Sequence, residues 1–249
     1  MINNSLLTNK KLNIVGIIPA RYASTRFPGK ALAIINGKPM IQHVYENALK
    51  SKLLDKVIVA TDDKRIYNTV IDFGGNAEMT LSKHKSGTDR IGEIAKWLKC
   101  GIIVNIQGDE PFIDPGNIDI AIKPLLTDNK INVSTLCYRI KDKNEINNPN
   151  AVKVVFDKNN YALYFSRYPI PYNRESLRKI SYYKHIGLYV YRREYLLKLI
   201  KLKQSKAEIA EQLEQLRILE NGEKIKVIET KIDSVSIDTE EDLMNLKAK

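Results

Sequence analysis

The sequence predicts an α/β protein with a mostly parallel central sheet. Three apolar runs are nearly unbroken, as in strands that helices cover on both faces: LNIVGIIP from residue 12, KVIVAT at 56–61 and GIIVNIQ at 101–107. Amphipathic helical patterns separate or follow these runs. Such alternation predicts right-handed crossovers between parallel strands.

Two helices are predicted in this first half. In KPMIQHVYENALKS, Pro39 suits a first helical turn and Ile41, Val44 and Ala48 share one face. In TDRIGEIAKWLK, apolar residues recur at helical spacing and Thr88 is the expected N-cap.

After residue 130 the pattern changes to short β-branched or aromatic runs, which are NVSTLCYRI, AVKVVFD, YALYFSR and HIGLYVYR. They predict a smaller β-rich insertion at about 130–192, inside a single domain of 1–249. A helix is then predicted in SKAEIAEQLEQLRIL and a strand in KIKVIET. The segment SVSIDTEEDLMNL reads as a strand that runs into a helix.

Composition excludes several classes of protein. The 249 residues are 43% apolar and 28% charged, as in an ordinary globular domain. No apolar window is long enough for a membrane span and the start lacks a secretory core, so a cytoplasmic protein is expected. Cys100 and Cys137 lack the spacing of a zinc or redox site and read as core residues.

The net charge of +11 raises the possibility of a nucleic-acid partner. The lysines are spread along the chain, without a run of five or six cations. No nucleic-acid partner is therefore expected, and a basic nucleic-acid-binding protein is kept only as a remote alternative.

A cationic loop follows the first predicted strand, in the segment IIPARYASTRFPGKAL. Arg21, Arg26 and Lys30 crowd this loop, which predicts either a polyanion-binding site or a solvated basic loop. A Walker A loop is excluded, because no glycine stands five residues before Gly29 and Ala31 replaces the required Ser or Thr.

Carboxylates follow two further predicted strands. Asp109, in QGDEP, is placed to hold magnesium together with substrate phosphates, although Gly, Asp and Pro also favour a plain turn. Asp238, in SIDTEEDL, either joins that metal site or caps the following helix with Glu241. Thr239 with Asp242 offers the same cap one residue later.

Other polar residues leave little room for covalent chemistry. Ser86, Gly87 and Thr88 open a helix, where free amides bind an anion or a ligand carbonyl, or are simply capped. Of the three histidines, His185 is the one that could face a ligand, and no nucleophile-elbow pattern is present.

Taken together, these segments resemble the 3-deoxy-D-manno-octulosonate (Kdo) cytidylyltransferases. The resemblance runs from about residue 14 to the end of the chain and is most specific in YFSR, IPY, KHIGLYVYR and LEQLR. It implies a Rossmann-like nucleotidyltransferase fold, a magnesium-dependent homodimer and the reaction of CTP with Kdo to give CMP-Kdo and pyrophosphate. The product would serve lipopolysaccharide or capsule synthesis.

The resemblance also implies roles for individual residues. The triphosphate would be held by Arg21, Arg26 and Lys30. The cytidine would lie near Ser86, Gly87, Arg90 and Gln107. The metal ligands would be Asp109 and Asp238, which with Arg21 and Lys30 form the catalytic set. The sugar site would be lined by Arg167, His185, Tyr189, Glu214 and Gln215.

The exact sugar stays open at this point. The segment between IPYNR and YKHIG is short, as in capsule-type or 8-amino-Kdo-type relatives, whereas Glu110 points to Kdo itself. Kdo is the expected substrate, with 8-amino-Kdo or another acidic sugar, such as a sialic acid, as the alternatives.

Overall fold

A computed structural model describes residues 13–23, 27–84, 86–175 and 180–247 of the chain. The strands in these residues are β1 (Ile14–Ala20), β2 (Ile34–Ile35), β3 (Lys38–Pro39), β4 (Lys56–Thr61), β5 (Ala77–Met79), β6 (Ile102–Asn105), β7 (Val133–Arg139), β8 (Lys153–Phe156), β9 (Ala162–Ser166), β10 (Tyr183–Arg192) and β11 (Lys226–Thr230). The helices are α1 (Met40–Leu49), α2 (Lys64–Asp72), α3 (Gly87–Ala95), α4 (Pro115–Thr127), α5 (Lys143–Asn147), α6 (Arg193–Leu199), α7 (Lys206–Glu211), α8 (Leu216–Glu220) and α9 (Glu240–Lys247).

Most of these strands form one sheet in the order β11, β7, β10, β6, β1, β4, β5. β1 pairs in parallel with β4 and β6, β4 with β5, and β11 with β7. β10 runs antiparallel to both of its neighbours in that order. The predicted α/β fold with a mostly parallel sheet is confirmed.

The sheet is buried on both faces, which explains the unbroken apolar runs. Alternate residues of β1 point to opposite sides: Ile18 packs into the core under α1, α2 and α4, and Ile17 packs into the core with α3 and α6. Both isoleucines are 0% exposed. Burial of each such side chain contributes about 1.5–3 kcal/mol, so the sheet is a rigid base for the loops at its edge.

The segment from 130 to 192 is rich in strand but does not form a sheet of its own. β7 and β10 are members of the main sheet, and β8 pairs with β10 and with β9 to form an extension beside it. The antiparallel pairing expected from its short runs is present.

Three local predictions differ from the structure. Ser86, not Thr88, caps α3, since its Oγ accepts a hydrogen bond from the Asp89 amide. The helix predicted across SKAEIAEQLEQLRIL is broken into α7 and α8. The strand predicted before α9 is absent from the described residues there, where Ile237 instead makes a single backbone bond to Asp109.

The two cysteines occupy packed positions. Cys137 is fully buried in the core and Cys100 is half-buried against it. Across the described part of the chain, every helix is too short or too polar to cross a lipid bilayer.

Candidate active site

The candidate site lies at the carboxyl ends of β1 and β6, where the chain order in the sheet reverses. After β1 the chain builds β4 and β5 on one side, and then returns to place β6 on the other. A crevice opens at such a reversal, beyond the strand ends. The backbone is tightly packed there, because a Cβ on Gly108 would lie 2.9 Å from the Pro19 carbonyl oxygen.

The cationic loop after β1 is closed by a backbone hydrogen bond from the Gly29 amide to the Tyr22 carbonyl, at 2.9 Å. Gly29 has a φ of +71°, a conformation that glycine adopts without strain. A Cβ at this position would also lie 3.1 Å from the Tyr22 ring. Closure of the loop starts a single 3₁₀ turn at Lys30 and directs that lysine toward the crevice.

Lys30 joins the two aspartates that the sequence singled out. Its Nζ donates to Asp109 Oδ2 at 2.7 Å and to Asp238 Oδ1 at 3.1 Å. The three side chains are partly buried, with 16%, 27% and 30% of their surfaces exposed respectively. Asp109 and Asp238, which are 79 and 208 positions from Lys30 in the sequence, thus both contact Lys30 Nζ.

Asp238 is held in place by the backbone and by the helix that follows it. The Ile237 amide donates to the Asp109 carbonyl at 2.9 Å, which fixes the two segments side by side. The cap of α9 is the Thr239 and Asp242 pair, with the Thr239 amide bonded to Asp242 Oδ2 and the Asp242 amide to Thr239 Oγ1. The cap predicted with Glu241 is therefore replaced by the later alternative, and the Asp238 carboxylate turns to Lys30.

The donor set at this point fits a hard divalent cation. Asp109 and Asp238 present carboxylate oxygens within hydrogen-bonding distance of one shared atom, Lys30 Nζ. No three acidic, histidine or cysteine side chains converge as a metal cage within the described ranges. Two carboxylates that leave the remaining positions to water and substrate phosphates are the usual arrangement for magnesium.

A cavity of about 960 Å³ extends from these aspartates across the sheet. Its lining includes seven of the residues predicted to contact nucleotide or sugar: Gly87, Gln107, Arg167, His185, Tyr189, Glu214 and Gln215. These seven residues therefore open onto one continuous space, of the size that ligand-binding cavities usually have.

The break between α7 and α8 brings Glu214 and Gln215 to this cavity. Gln212 adopts a left-handed conformation at the end of α7, with φ 53°. Arg217 fixes the break, because its Nε donates to Glu208 Oε2 at 2.8 Å and its Nη2 bonds the other oxygen of that carboxylate. This buried pair clamps α8 to α7 and leaves residues 213–215 as a turn facing the cavity.

Glu214 connects the turn between α7 and α8 to the start of α3. Its carboxyl is hydrogen-bonded to the hydroxyls of Thr88 and Ser86. Burial raises the pKa of Glu214, while these two hydrogen bonds lower it by less. A predicted sugar residue and the predicted cytidine segment are thus in direct contact.

His185 lies in the cavity wall on β10. Burial lowers its pKa to about 3, so the imidazole is neutral at physiological pH. Its ring packs edge-on against Phe165, with centroids 5.1 Å apart, and lies 5.2 Å from the ring of Tyr189. The Tyr189 hydroxyl is buried and has no hydrogen-bond partner among the described residues, so it is available to a ligand.

Arg167 has a more structural position than the sequence suggested. Its Nε donates to the Glu211 carbonyl at 2.8 Å and its Nη1 to the Pro149 carbonyl at 3.0 Å, with a longer contact from Nη2 to the Gln212 carbonyl. A guanidinium has five N–H donors, so two stay available for a carboxylate at the cavity.

The structure places some predicted residues away from the cavity. Arg90 is 0% exposed, its Nη2 donates to Asp62 at 3.0 Å and its Nη1 bonds Thr80, so direct contact of this side chain with cytidine is not supported. Arg21 is exposed directly after β1. Arg26 lies outside the described residues.

Sequence reasoning missed two features of the lining. Asn105 ends β6, is 3% exposed, and its Oδ1 has no partner in the described part of the chain. Glu110 is 6% exposed and accepts a hydrogen bond from Ser234, and burial raises its pKa to about 7. A polar residue inside the apolar run GIIVNIQ was the available signal for Asn105.

Comparison with known proteins relates this geometry to one family. Residues 15–225 match the family model described as cytidylyltransferase. A 3-deoxy-manno-octulosonate cytidylyltransferase of Geotalea daltonii is 55% identical over 242 residues, which cover 93% of this chain and 96% of the relative. The enzyme of that name from Geotalea uraniireducens is 54% identical, with the same coverage.

A solved structure agrees at the level of fold and sequence. It is that of CMP:2-keto-3-deoxy-manno-octonic acid synthetase complexed with CTP, and it aligns with a TM-score of 0.90 and 44% identity. The alignment covers 95% of this chain and 97% of the solved one.

Proposed function

Because the chain belongs to the family of 3-deoxy-manno-octulosonate cytidylyltransferases, we propose that it transfers the CMP group of CTP to Kdo. In this reaction the anomeric hydroxyl of the sugar attacks the α-phosphorus of CTP. The bond from that phosphorus to the bridging oxygen breaks, pyrophosphate leaves and the hydroxyl proton is lost. The enzyme has to align two anionic substrates and neutralise their negative charge.

The observation that carries the proposal is the Lys30 bridge between Asp109 and Asp238 at the edge of a cavity large enough for both substrates. Cations and carboxylates in one place suit a triphosphate with its metal ion. Lys30 and Arg21 would bind phosphate oxygens, together with Arg26. Gly87, at the start of α3, and Gln107 would border the nucleoside.

Magnesium is proposed as the cofactor, held by Asp109 and Asp238. When bound, such an ion polarises a phosphoryl group and stabilises the charge that develops on it. Lys30 donates to both carboxylates and would also bind the phosphates, so it would keep the acidic pair in position until the substrates bind.

The sugar is proposed to bind on the far side of the cavity. Arg167 would use its two remaining donors for the Kdo carboxylate, in the parallel geometry that a guanidinium favours. The Tyr189 hydroxyl, His185 and Gln215 would form hydrogen bonds with the sugar hydroxyls. Glu214, bonded to Thr88 and Ser86, would sit where sugar and nucleotide meet.

Kdo is favoured over its 8-amino analogue and over other acidic sugars by the names of the relatives. The test is pyrophosphate release by the purified protein with CTP, magnesium and a panel of Kdo, 8-amino-Kdo and a sialic acid. Kdo is expected to give the highest kcat/KM. Release with the sialic acid alone, or with none of the panel, would overturn the proposal.

The cytoplasm is the proposed place of action, since CTP is a cytoplasmic nucleotide. CMP-Kdo would then serve the synthesis of lipopolysaccharide, with capsule polysaccharide as the alternative destination. A nucleic-acid partner is not proposed.

A homodimer is also proposed, through the β8 and β9 extension. Among the described strands β9 pairs with β8, and large apolar side chains there and in the loop after it are exposed: Leu163 by 62%, Tyr168 by 74% and Tyr172 by 82%. Large apolar side chains exposed within one segment are typical of an interface. The segment would thus act in dimerisation as well as in sugar binding.

Light scattering on Leu163→Arg tests this interface. The wild-type protein is expected to have twice the chain mass, and the variant is expected to dissociate at micromolar concentration because a cation replaces an apolar contact. Leu49→Arg, at a residue 55% exposed on α1, is the matched control and should stay dimeric. A wild-type monomer, or a dimer unaffected by Leu163→Arg, would contradict the proposal.

A further inference from the structure

Thr135 lies beside the Nε2 atom of the His185 ring. It belongs to β7, is 0% exposed, and pairs across the ladder with Tyr189 of β10. The β7 pairing of β10 shifts register between Ile186 and Tyr189, so Gly187 and Leu188 form a bulge. No motif in the sequence points to this threonine.

The bulge surrounds the Thr135 hydroxyl with three polar atoms. Oγ1 lies 2.8 Å from the Leu188 carbonyl oxygen, 3.2 Å from the Ile186 carbonyl oxygen and 2.9 Å from His185 Nε2. A hydroxyl has one proton to donate and two lone pairs that accept. The acceptor that receives the Thr135 hydroxyl proton therefore determines whether His185 Nε2 is protonated.

The two carbonyl oxygens can only accept, so the hydroxyl proton belongs to one of them and the shorter distance favours Leu188. If the proton went to His185 Nε2 instead, Oγ1 would face two carbonyl oxygens without a hydrogen between them, in a buried place where such an unmet acceptor costs about 1–3 kcal/mol. His185 Nε2 must therefore carry a hydrogen and donate it to Oγ1.

We propose that Thr135 is a positioning residue that holds His185 as the Nε2–H tautomer, so that Nδ1 presents a lone pair to a hydroxyl of the sugar. This rests on the proposed function, because His185 lines the cavity assigned to the sugar. No residue in the described part of the chain bonds to Nδ1. A neutral imidazole that accepts at Nδ1 selects a ligand with a hydroxyl or amine donor at that point and disfavours a carbonyl there.

The tautomer is tested first, in the ligand-free protein. A two-bond ¹H–¹⁵N correlation spectrum distinguishes protonated from unprotonated ring nitrogens, and the chain has three histidines, so His185→Gln identifies the signal. Wild type and Thr135→Ser, which keeps the hydroxyl, are expected to show Nε2–H. Thr135→Val, of similar shape without the hydroxyl, is expected to show a mixture of tautomers.

Steady-state kinetics then test the consequence. Thr135→Val is expected to raise the KM for Kdo about 5- to 10-fold, the effect of one weakened hydrogen bond, while the KM for CTP changes less than twofold. Thr135→Ser should restore the wild-type KM for Kdo. A purely structural role would alter both KM values and the Tm together.

Two outcomes overturn the inference. One is a wild-type His185 that carries its proton on Nδ1, which needs no variant to observe. The other is a Thr135→Val protein with an unchanged tautomer and an unchanged KM for Kdo. If the wild-type protein shows the Nε2–H form yet has no activity with any sugar of the panel, the proposed function fails and the tautomer assignment stands.

Discussion

Asp238→Asn is expected to lower kcat for pyrophosphate release by about three orders of magnitude, and Asp109→Asn by a similar factor. A carboxylate that holds the catalytic metal contributes several kcal/mol to transition-state stabilisation, and each 1.36 kcal/mol is a factor of ten in rate. Asparagine keeps the size of the side chain but removes the charge that attracts the ion. The measurement is a pyrophosphate-release assay at saturating CTP and Kdo, titrated with magnesium.

Asp114→Asn is the matched control for this pair. Asp114 caps α4 by accepting from the Asn117 amide, and asparagine caps a helix equally well. The control removes one negative charge five residues from Asp109, so it separates loss of a ligand from a general change in charge. Activity of both Asp109→Asn and Asp238→Asn within tenfold of wild type would contradict the metal assignment.

The central sheet could be predicted from the sequence because its strands are buried on both faces and therefore leave a continuous apolar run. KVIVAT predicts a strand at 56–61, and β4 forms over the same residues. The carboxyl-end rule for such sheets then directs attention to Arg21, Asp109 and Asp238, because each follows a predicted strand. The local sequence pattern and this general rule are therefore sufficient to predict the central sheet and the edge at which the site lies.

The break between α7 and α8 could not be predicted, because local propensity favours a continuous helix there. Glu, Gln, Leu and Ala are good helix formers, and no proline or glycine interrupts SKAEIAEQLEQLRIL. The break comes instead from tertiary contacts: Leu213 and Leu216 are buried in the core, while Ile209 is 54% exposed. The buried Glu208 and Arg217 pair fixes that arrangement.

Arg90 shows a similar limit for charged residues. The family resemblance implied that Arg90, in SGTDR, lies near the cytidine. Its burial against Asp62 and Thr80, which are 28 and 10 residues earlier, depends on how the segments after β4 and β5 pack against α3. A pattern gives the residue type and the spacing, but the partner of a buried charge is decided by the fold.

Lys30→Met is expected to change the metal response of the ligand-free protein as well as its activity. Without the lysine, Asp109 and Asp238 lose the hydrogen bonds that both accept from Lys30 Nζ, and hydrogen bonds to charged groups contribute about 1.5–3 kcal/mol each at partly buried sites. The free energy of unfolding should fall by about 1–3 kcal/mol, which corresponds to roughly 2–12 °C in Tm for a chain of this size. The kcat/KM for CTP should fall about 100-fold, because the variant lacks a cation that would bind the triphosphate.

The distinguishing measurement is the Tm of the protein with magnesium or manganese and without CTP. In the wild type, Lys30 Nζ lies between the two carboxylates and competes with an added ion, so the Tm should respond weakly. In Lys30→Met this competition from the lysine is removed, and the Tm should rise at lower metal concentration, back toward the wild-type value. Lys38→Met, which removes an exposed pair with Glu46, is the control and should change neither the stability by more than about 0.5 kcal/mol nor the metal response. A Lys30→Met protein that responds to magnesium no more than wild type would mean that the lysine and the ion do not share one place, and that the two aspartates are held together for another reason.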